Sequence, residues 1–366
     1  MFDPKVWGAL PFHFWTVVFF GFGCTVGSFL NVCIYRMPLG LSVVSPPSHC
    51  PHCKYSIPWF LNVPLATWLW LKGKCANCGA PISIRYFMVE LLTGLMFAAS
   101  WLHFGAVLPG NAVAYCVLFA GFITATFIDL EHFIIPDEIT FGGIAVGFLL
   151  SLAFPGLQGT DNHARALEEC FKGIVVGGGL VYAILRLGKL AFGRQKVALG
   201  QSATVIFGEA GLHLPDSILP YEDIFYRQSD TIRLIAQRAE LADRCYWNVP
   251  VRLSPKSLQI GEDKFSPEET HFLEVTTEEI VLPREAMGLG DVKFMAAIGA
   301  FVGWEGTVFS LMASSIIGSA VGVVGIVAKR RDWSSRVPYG PYIALAATIY
   351  VFFGGAIMRM FFSPIP

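Results

Sequence analysis

Long apolar runs, separated by shorter polar segments, dominate the hydropathy pattern of the chain. A transmembrane helix needs about 20 largely apolar residues to cross the hydrocarbon core of a bilayer. Eight runs approach that length, near residues 12–35, 86–106, 110–130, 134–154, 170–192, 289–304, 306–328 and 339–361. The sixth is short and interrupted by glycine. The pattern predicts an all-α polytopic membrane protein with about eight transmembrane helices.

The distribution of Lys and Arg predicts the orientation of these helices, because short cytoplasmic loops carry an excess of both residues. With eight spans, loops 36–85 and 329–336 share one side and hold nine basic residues: Arg36, Lys54, Lys72, Lys74, Arg85, Lys329, Arg330, Arg331 and Arg336. The opposite side holds four: Lys5, Arg165, Lys172 and Arg359. We therefore expect loops 36–85 and 193–286 to face the cytoplasm. The first run lacks a small-residue cleavage site, so we expect it to be retained as a helix.

Composition agrees with a membrane protein and argues against some other classes. Of 366 residues, 54% are hydrophobic and 14% are charged, which is wrong for a soluble domain of this length. The formal net charge of −1 argues against nucleic-acid binding and against adhesion to a membrane surface as the main function. We expect the lipid bilayer, and no nucleic acid, as a partner.

Four of the nine cysteines form two CxxC pairs in loop 36–85: Cys50 with Cys53, and Cys75 with Cys78. This spacing is typical of a tetrahedral zinc site. Disulfides are the alternative, but they fit poorly in a loop that faces the reducing cytoplasm. Four protein ligands leave no open coordination position, so we expect a structural zinc ion. His49 and His52 flank the first pair and offer possible substitute ligands.

Four carboxylates crowd the end of the third apolar run, in the stretch TFIDLEHFIIPDEIT: Asp129, Glu131, Asp137 and Glu138. An ordinary polar turn between helices accounts for Glu131 and Glu138. Asp129 differs because it follows apolar residues directly at the hydrocarbon boundary, where an unpaired charge costs up to about 2.5–3.5 kcal/mol. Such residues normally face a partner or a water-filled cavity.

Asp291, in the stretch GLGDVKF at the start of the sixth run, has the same character. The predicted topology places Asp129 and Asp291 at the same edge of the membrane, where they can share one cleft. Two carboxylates in one site do not both ionise cheaply, so one is expected to hold a proton while the other activates water. Gly288 and Gly290 allow the backbone to bend and a substrate strand to approach. Lys293 is interpreted as a phosphate-binding, ion-pairing or snorkelling residue.

These residues alone leave three interpretations open. Paired acids suit aspartic proteolysis, and they equally suit a proton-coupled transporter with a zinc-stabilised loop. An inverted repeat of the spans would favour the transporter, and the sequence shows none. A non-enzymatic assembly factor with a metal-bound scaffold leaves the acids unexplained.

Several stretches together resemble the prepilin peptidase family, the type IV leader peptidases of the GxGD aspartic class. They are GSFLNVCIYRMP, PSHCPHC, NVPLATWLWLKGKCANCGAPISIRYFMVELLTG, IDLEHFIIPD, MGLGDVKFMAAIGAFVG and VPYGPYIALA, in the order that the family has them. Together they cover nearly all of the chain outside residues 193–286. The combination is far more specific than any single motif.

The resemblance implies a bacterial inner-membrane aspartic endopeptidase that acts at the cytoplasmic face. Its substrates would be type IV prepilins or type II secretion pseudopilins, cut ahead of their hydrophobic helix. The catalytic aspartates of the family fall on Asp129 and Asp291, and its zinc ligands fall on the four CxxC cysteines. Members with this cysteine loop often also methylate the new N-terminus with S-adenosylmethionine. No nucleotide-binding motif in the sequence supports that second activity, and we interpret GGGL at 177–180 as helix packing.

Residues 193–286 depart from the family pattern, which joins the flanking spans by a short connection. This insert holds 15 of the 27 acidic residues and 10 of the 26 basic ones. ATVIF, VPVRLS and THFLEVTTEEIVL are typical of strands. Helical spacing of apolar residues predicts an amphipathic helix within YEDIFYRQSDTIRLIAQRAELADRC. We expect a small cytoplasmic α+β module that is dispensable for the chemistry. The sequence leaves three roles open for it: binding a partner, regulating access, or a tolerated insertion.

The expected domain organisation follows from these elements. It comprises a first transmembrane helix at 1–35, the zinc loop at 36–85 and four helices with the first acid at 86–192. The insert at 193–286 and the GxGD segment with three helices at 287–366 complete it.

Overall fold

The computed structural model describes residues 10–192, 194–208, 211–215, 217–225, 230–241, 243–267, 270, 272–283, 288–328 and 337–362. The chain forms two compact units. Met1–Tyr182 and Leu289–Pro366 make up the first, which we call the helical unit. Ala183–Gly288 make up the second, which we call the sheet unit.

Long apolar helices build the membrane part of the protein. Their bounds are α1 Phe12–Arg36, α3 Ile84–Phe104, α4 Pro109–His132, α5 Asp137–Ala153, α6 His163–Phe192, α8 Leu289–Val327 and α9 Gly340–Phe362, with a short α2 at Ala66–Trp70. Among the described residues, six helices are long and apolar enough to cross a membrane: α1, α3, α4, α6, α8 and α9. Helix α5 has 17 residues, and Gly303 interrupts α8 with φ 68° and ψ −176°. These segments confirm the polytopic helical fold, with a count close to the expected eight.

Close approach of glycine backbones packs α6 against α8. A Cβ atom added to Gly173 would lie 2.1 Å from the carbonyl oxygen of Gly299, and one added to Gly177 would lie 2.5 Å from that of Met295. Only residues without a side chain permit such contact between membrane helices. The interpretation of Gly177 as a packing residue is therefore confirmed.

The sheet unit is built on one antiparallel sheet, and its strands run in the order β3-β2-β1-β8-β4-β5-β6-β7. The strand bounds are β1 Arg194–Phe207, β2 Gly211–Leu214, β3 Ser217–Pro220, β4 Ile232–Glu240, β5 Cys245–Ser254, β6 Ser257–Ile260, β7 Asp263–Phe265 and β8 Leu273–Pro283. A short helix, α7, spans Tyr221–Ile224. One hydrophobic core includes Val205, Leu234, Val251, Ile260 and Ile280. The expected strands are confirmed, and the described part of the insert is a β-sheet module whose helical part reduces to this four-residue segment.

The prediction of an amphipathic helix within residues 221–245 is wrong. Among the residues described in this segment, Tyr221–Ile224 alone is helical, and Ile232–Glu240 forms strand β4. Ile232, Leu234 and Ala236 are buried while Arg233 and Ile235 are exposed, which is the period of two that a strand requires. The spacing of three and four residues was a coincidence of several apolar residues in one short segment.

Some expectations fall outside the described residues. Lys5, Lys329, Arg330, Arg331 and Arg336 are among the positions that the structure does not describe. Membrane orientation therefore stays a prediction from the sequence, and so do the expected domain boundaries.

The packing of α6 on α8 generates a stability prediction. Gly173→Ala places a methyl group where the Gly299 backbone lies, so we expect a loss of about 1–3 kcal/mol in the free energy of unfolding. Gly179→Ala is the matched control on the same helix, because nothing lies within 4 Å of its added Cβ. Thermal unfolding in detergent micelles measures both variants. Equal melting temperatures for Gly173→Ala and the parent protein would contradict this packing.

Candidate active site and metal centre

The four CxxC cysteines come together in the loop between α1 and α3. Their sulfur atoms all lie within 4.8 Å of one another, and the structure describes no disulfide among them. Sγ of Cys50 is 3.9 Å from that of Cys78, and Sγ of Cys53 is 4.0 Å from that of Cys75. Zn–S bonds of about 2.3 Å in tetrahedral geometry place sulfur atoms about 3.8 Å apart. The four thiols therefore fit around a single metal ion.

The two CxxC segments adopt the same backbone fold. The amide of Lys54 donates to the carbonyl of Cys50 at 2.9 Å, and the amide of Gly79 donates to the carbonyl of Cys75 at 3.0 Å. Lys54 and Gly79 each follow the second cysteine of a pair, and both have positive φ, 57° and 70°. This repeated turn aims both thiols of each pair toward a common point.

Hydrogen bonds to sulfur favour the thiolate form that binds metals. Nδ2 of Asn77 donates to Sγ of Cys53 at 3.5 Å and contributes most to lowering the pKa of Cys53, to about 6. Backbone amides of Cys78 and Asn77 likewise lower the pKa of the Cys75 thiol. Nδ1 of His49 lies 2.9 Å from the carbonyl oxygen of Pro47, and the cluster of described ligands contains neither His49 nor His52.

Two buried side chains anchor this loop to helices α1 and α3. Arg36, in the last turn of α1, donates to the carbonyls of Ser42 and Pro46 at 3.0 and 2.7 Å. Glu90, inside α3, accepts the backbone amide of Leu65 at 2.7 Å. Sequence reasoning missed Glu90, although a single acid within the apolar run FMVELLTG was a usable signal.

Asp129 lies in the last turn of α4 and is 5% exposed. Helix α4 ends because Phe133 adopts a left-handed conformation, with its amide donating to the carbonyl of Asp129 at 3.0 Å. The backbone amide of Gly340, the first residue of α9, donates to Oδ2 of Asp129 at 2.8 Å. A neutral backbone donor thus holds a carboxyl group that is buried at a helix end.

The side chain of Ile135 packs between Gly340, which holds Asp129, and Gly290, which precedes Asp291. A Cβ added to Gly290 would lie 3.4 Å from Cβ of Ile135, and one added to Gly340 would lie 3.3 Å from its Cδ1. Ile135 is 8% exposed. Asp291 follows Gly290 directly in the first turn of α8 and is half-buried. The structure therefore brings together the ends of α4, α8 and α9, which carry both candidate acids.

Two neighbouring carboxylates pair with cationic side chains. Glu131 pairs with Arg85 at 2.5 Å, and Asp137 pairs with Lys293 at 2.5 Å. Nζ of Lys293 also lies 5.0 Å from the centre of the Phe141 ring. The ion-pairing interpretation of Lys293 is confirmed, and this pair links the N-terminal ends of α5 and α8.

A polytopic helical fold, a four-cysteine cluster after the first membrane helix and an acid buried at a helix end define an integral-membrane protein with a metal-binding loop. Comparison with known protein families identifies the family within this class. The family model described as Bacterial Peptidase A24 N-terminal domain matches residues 22–104. The model described as Type IV leader peptidase family matches residues 116–210 and 271–323, and its gap lies within the insert.

Individual relatives carry the same family name. A protein of Aeromonas hydrophila named prepilin leader peptidase/N-methyltransferase is 27% identical over 379 residues, covering 97% of this chain and 96% of the relative. One of the same name from Myxococcus xanthus is 42% identical over 172 residues, covering 46% of this chain and 48% of the relative. An Escherichia coli type 4 prepilin-like proteins leader peptide-processing enzyme is 34% identical over 216 residues, covering 54% and 76%. No solved structure matches the chain.

The chain therefore belongs to the type IV leader peptidase family, and it is a membrane peptidase. The resemblance drawn from the sequence motifs is confirmed.

The geometry of the four-cysteine cluster generates a metal-content prediction. Changing Cys50 or Cys75 to Ser removes one of four ligands, so we expect the metal content of the purified protein to fall and the loop to become less stable, because metal binding contributes about 10–16 kcal/mol in comparable sites. Cys245→Ser is the control, since this exposed thiol lies in the sheet unit. Elemental analysis measures bound metal, and parent protein without any metal ion would overturn the assignment.

Proposed function

We propose that Asp129 and Asp291 form the catalytic pair of an aspartic leader peptidase. The observation that carries the proposal is the junction around Ile135, which contacts Gly290 on one side and Gly340 on the other. Asp129 accepts the Gly340 amide at this junction, and Asp291 is covalently adjacent to Gly290. Of the neighbouring carboxylates, Glu131 pairs with Arg85 and Asp137 pairs with Lys293.

The proposed chemistry is hydrolysis of one peptide bond by water. The ionised acid removes a proton from water while the oxygen attacks the scissile carbonyl carbon, and the protonated acid donates its proton to the carbonyl oxygen. Collapse of the tetrahedral intermediate breaks the C–N bond as a proton passes to the leaving amine. The products are a carboxylic acid on the leader and a free amine on the shortened protein. The Gly340 amide orients the Asp129 carboxylate through one hydrogen bond. Because the amide is neutral, it does not hold the carboxylate in an ion pair.

The position of the acids suits a substrate that is cut beside a hydrophobic helix. Asp129 lies in the last turn of one membrane helix and Asp291 in the first turn of another, so we place both at the edge of the membrane. A prepilin or pseudopilin inserted through its apolar helix presents the preceding cleavage site at that edge. The printed names of the relatives refer to prepilins, which supports this substrate class. We assign the edge to the cytoplasmic face of the bacterial inner membrane, on the basis of the Lys and Arg distribution.

Zinc is the metal that we assign to the four-cysteine site. Four thiolates in tetrahedral spacing are a donor set typical of zinc, and four protein ligands leave no position for a substrate. When bound, the ion would hold Cys50, Cys53, Cys75 and Cys78 in one folded loop. We give it no part in peptide hydrolysis.

Methyl transfer to the new N-terminus is a second candidate activity. Its support is the name prepilin leader peptidase/N-methyltransferase carried by the Aeromonas hydrophila relative, which aligns with 97% of this chain. S-adenosylmethionine would be the methyl donor. Intact-mass analysis of a processed prepilin, with and without that cofactor, separates leader removal from methylation.

The acid pair generates the main activity prediction. Asp129→Asn and Asp291→Asn each keep side-chain size but remove an acid or a base, so we expect either change to reduce leader cleavage by at least about 10²–10⁴-fold. Glu131→Gln and Glu138→Gln are the controls, and most activity should remain in both. Incubation of each purified full-length variant with a prepilin, followed by mass analysis of the product, measures cleavage. Near-normal cleavage by Asp129→Asn or Asp291→Asn would refute the aspartic mechanism.

A further inference from the structure

A row of basic residues crosses one face of the sheet unit. Residues that pair directly across neighbouring antiparallel strands point to the same face. An unbroken series of such pairs runs through six strands: Lys196 with Val281, Val281 with Arg233, Arg233 with Arg252, Arg252 with Gln259, and Gln259 with Lys264. We call these six residues the basic row, and four of them are Lys or Arg.

The basic row lies on the face opposite the hydrophobic core. Leu234, Val251, Ile260 and Ile280 each follow or precede a residue of the row, and all are buried in the core. Since successive side chains of a strand alternate between faces, the row points outward. Its four basic residues are exposed.

Two arginines of the row are directly opposite each other without a compensating acid. Like charges in this position are destabilising, and neither Arg233 nor Arg252 has an ion-pair partner in the part of the chain that the structure describes. At the far end of the same strands, by contrast, Arg238 pairs with Glu240 at 2.6 Å and Arg244 with Asp243 at 2.7 Å. Arg233 and Arg252 therefore differ from the arginines at the other end of these strands, which have acidic partners.

A groove of about 530 Å³ lies along this part of the sheet. Arg233 and Arg252 line it together with the apolar residues Ile235, Pro250 and Val281. Two acids, Glu278 and Glu279, also line it. Glu279 pairs with Lys196 at 2.9 Å, and Glu278 accepts a hydrogen bond from the neutral Nε2 of Gln237 at 2.9 Å, so one uncompensated carboxylate faces the two arginines. The free recognition elements are two guanidinium groups beside apolar surface, which complement an anionic amphiphile.

The row lies close to the edge of the sheet where its first strand, β1, begins and its last strand, β8, ends. Strand β1 begins at Arg194, which pairs with Pro283 at the end of β8, two residue pairs from the row. Just before β4, the buried carboxylate of Asp230 pairs with Lys189 at 3.1 Å. Lys189 lies in the last turn of α6, at the end of the apolar span His163–Leu190. This end of the sheet is thus fixed to the end of a membrane-spanning helix.

We propose that the basic row binds the phosphate groups of anionic phospholipids at the surface of the same bilayer. Strand β1 follows α6 directly in the chain, and Arg233 and Arg252 lie on neighbouring strands about 4.8 Å apart, a spacing at which both guanidinium groups can bind headgroup phosphate. The apolar wall of the groove accepts the glycerol and upper acyl region. The proposal does not depend on the peptidase assignment.

Hydrogen–deuterium exchange of the full chain in nanodiscs tests this proposal. One disc contains phosphatidylcholine alone, and the other contains equal parts of phosphatidylcholine and phosphatidylglycerol. In the anionic disc we expect exchange in Ile232–Glu240 and Cys245–Ser254 to slow by about tenfold, since each basic residue near an anionic surface strengthens binding about fivefold. Arg233→Glu combined with Arg252→Glu should abolish the difference between the discs.

Arg238→Glu combined with Arg244→Glu is the matched control, because these arginines lie on or next to the same strands and already have acidic partners. It should retain the difference. If the charge reversal at the row unfolds the sheet, Arg233→Gln with Arg252→Gln replaces it. Equal exchange in the two discs for the parent protein would overturn the proposal. So would equal protection by inorganic phosphate, or by a Glu-rich peptide, in the phosphatidylcholine disc.

Discussion

The contact of Ile135 with the two glycines Gly290 and Gly340 is the constraint on which the proposed active site depends. A side chain at Gly340 would place its Cβ 2.8 Å from Oδ2 of Asp129, inside the hydrogen bond that orients this acid. Glycine at position 340 lets α9 begin against the turn that follows α4, and Gly290 at the start of α8 lies on the other side of Ile135. Among the described residues the partner of the Asp129 carboxylate is a backbone amide and not a cation, so a backbone dipole compensates its burial. A carboxyl group in that setting remains available for proton transfer.

The parts of the chain that surround this junction are held by long-range contacts of a few polar side chains. Lys293 with Asp137 fixes α8 to α5, and Arg85 with Glu131 fixes α3 to the last turn of α4. Glu90 and Arg36 attach the cysteine loop to α3 and α1. These contacts hold the four-cysteine loop and the candidate acid site within one helical unit.

Much of this architecture could be predicted from local sequence pattern. Apolar length identified the membrane helices, and the CxxC spacing identified the cysteine cluster, because both signals lie within short segments. Alternation identified β5 and β8, whereas β4 was mistaken for a helix because Ile232, Ile235 and Ala239 also satisfy helical spacing. Ile135, the Gly340 amide and Glu90 could not be recognised as site residues. Their roles come from contacts between residues that are far apart in the chain, such as Asp129 with Gly340.

A double-mutant comparison of the two acids tests the central claim, that Asp129 and Asp291 act as one catalytic unit. Residual single-turnover cleavage of a prepilin is measured for Asp129→Asn, Asp291→Asn and the double variant, each as purified full-length protein. If the acids work as a pair, loss of either one already removes the pathway, so the double variant should be no slower than the slower single variant. Losses that multiply in the double variant would show that the two acids act independently and would contradict the account.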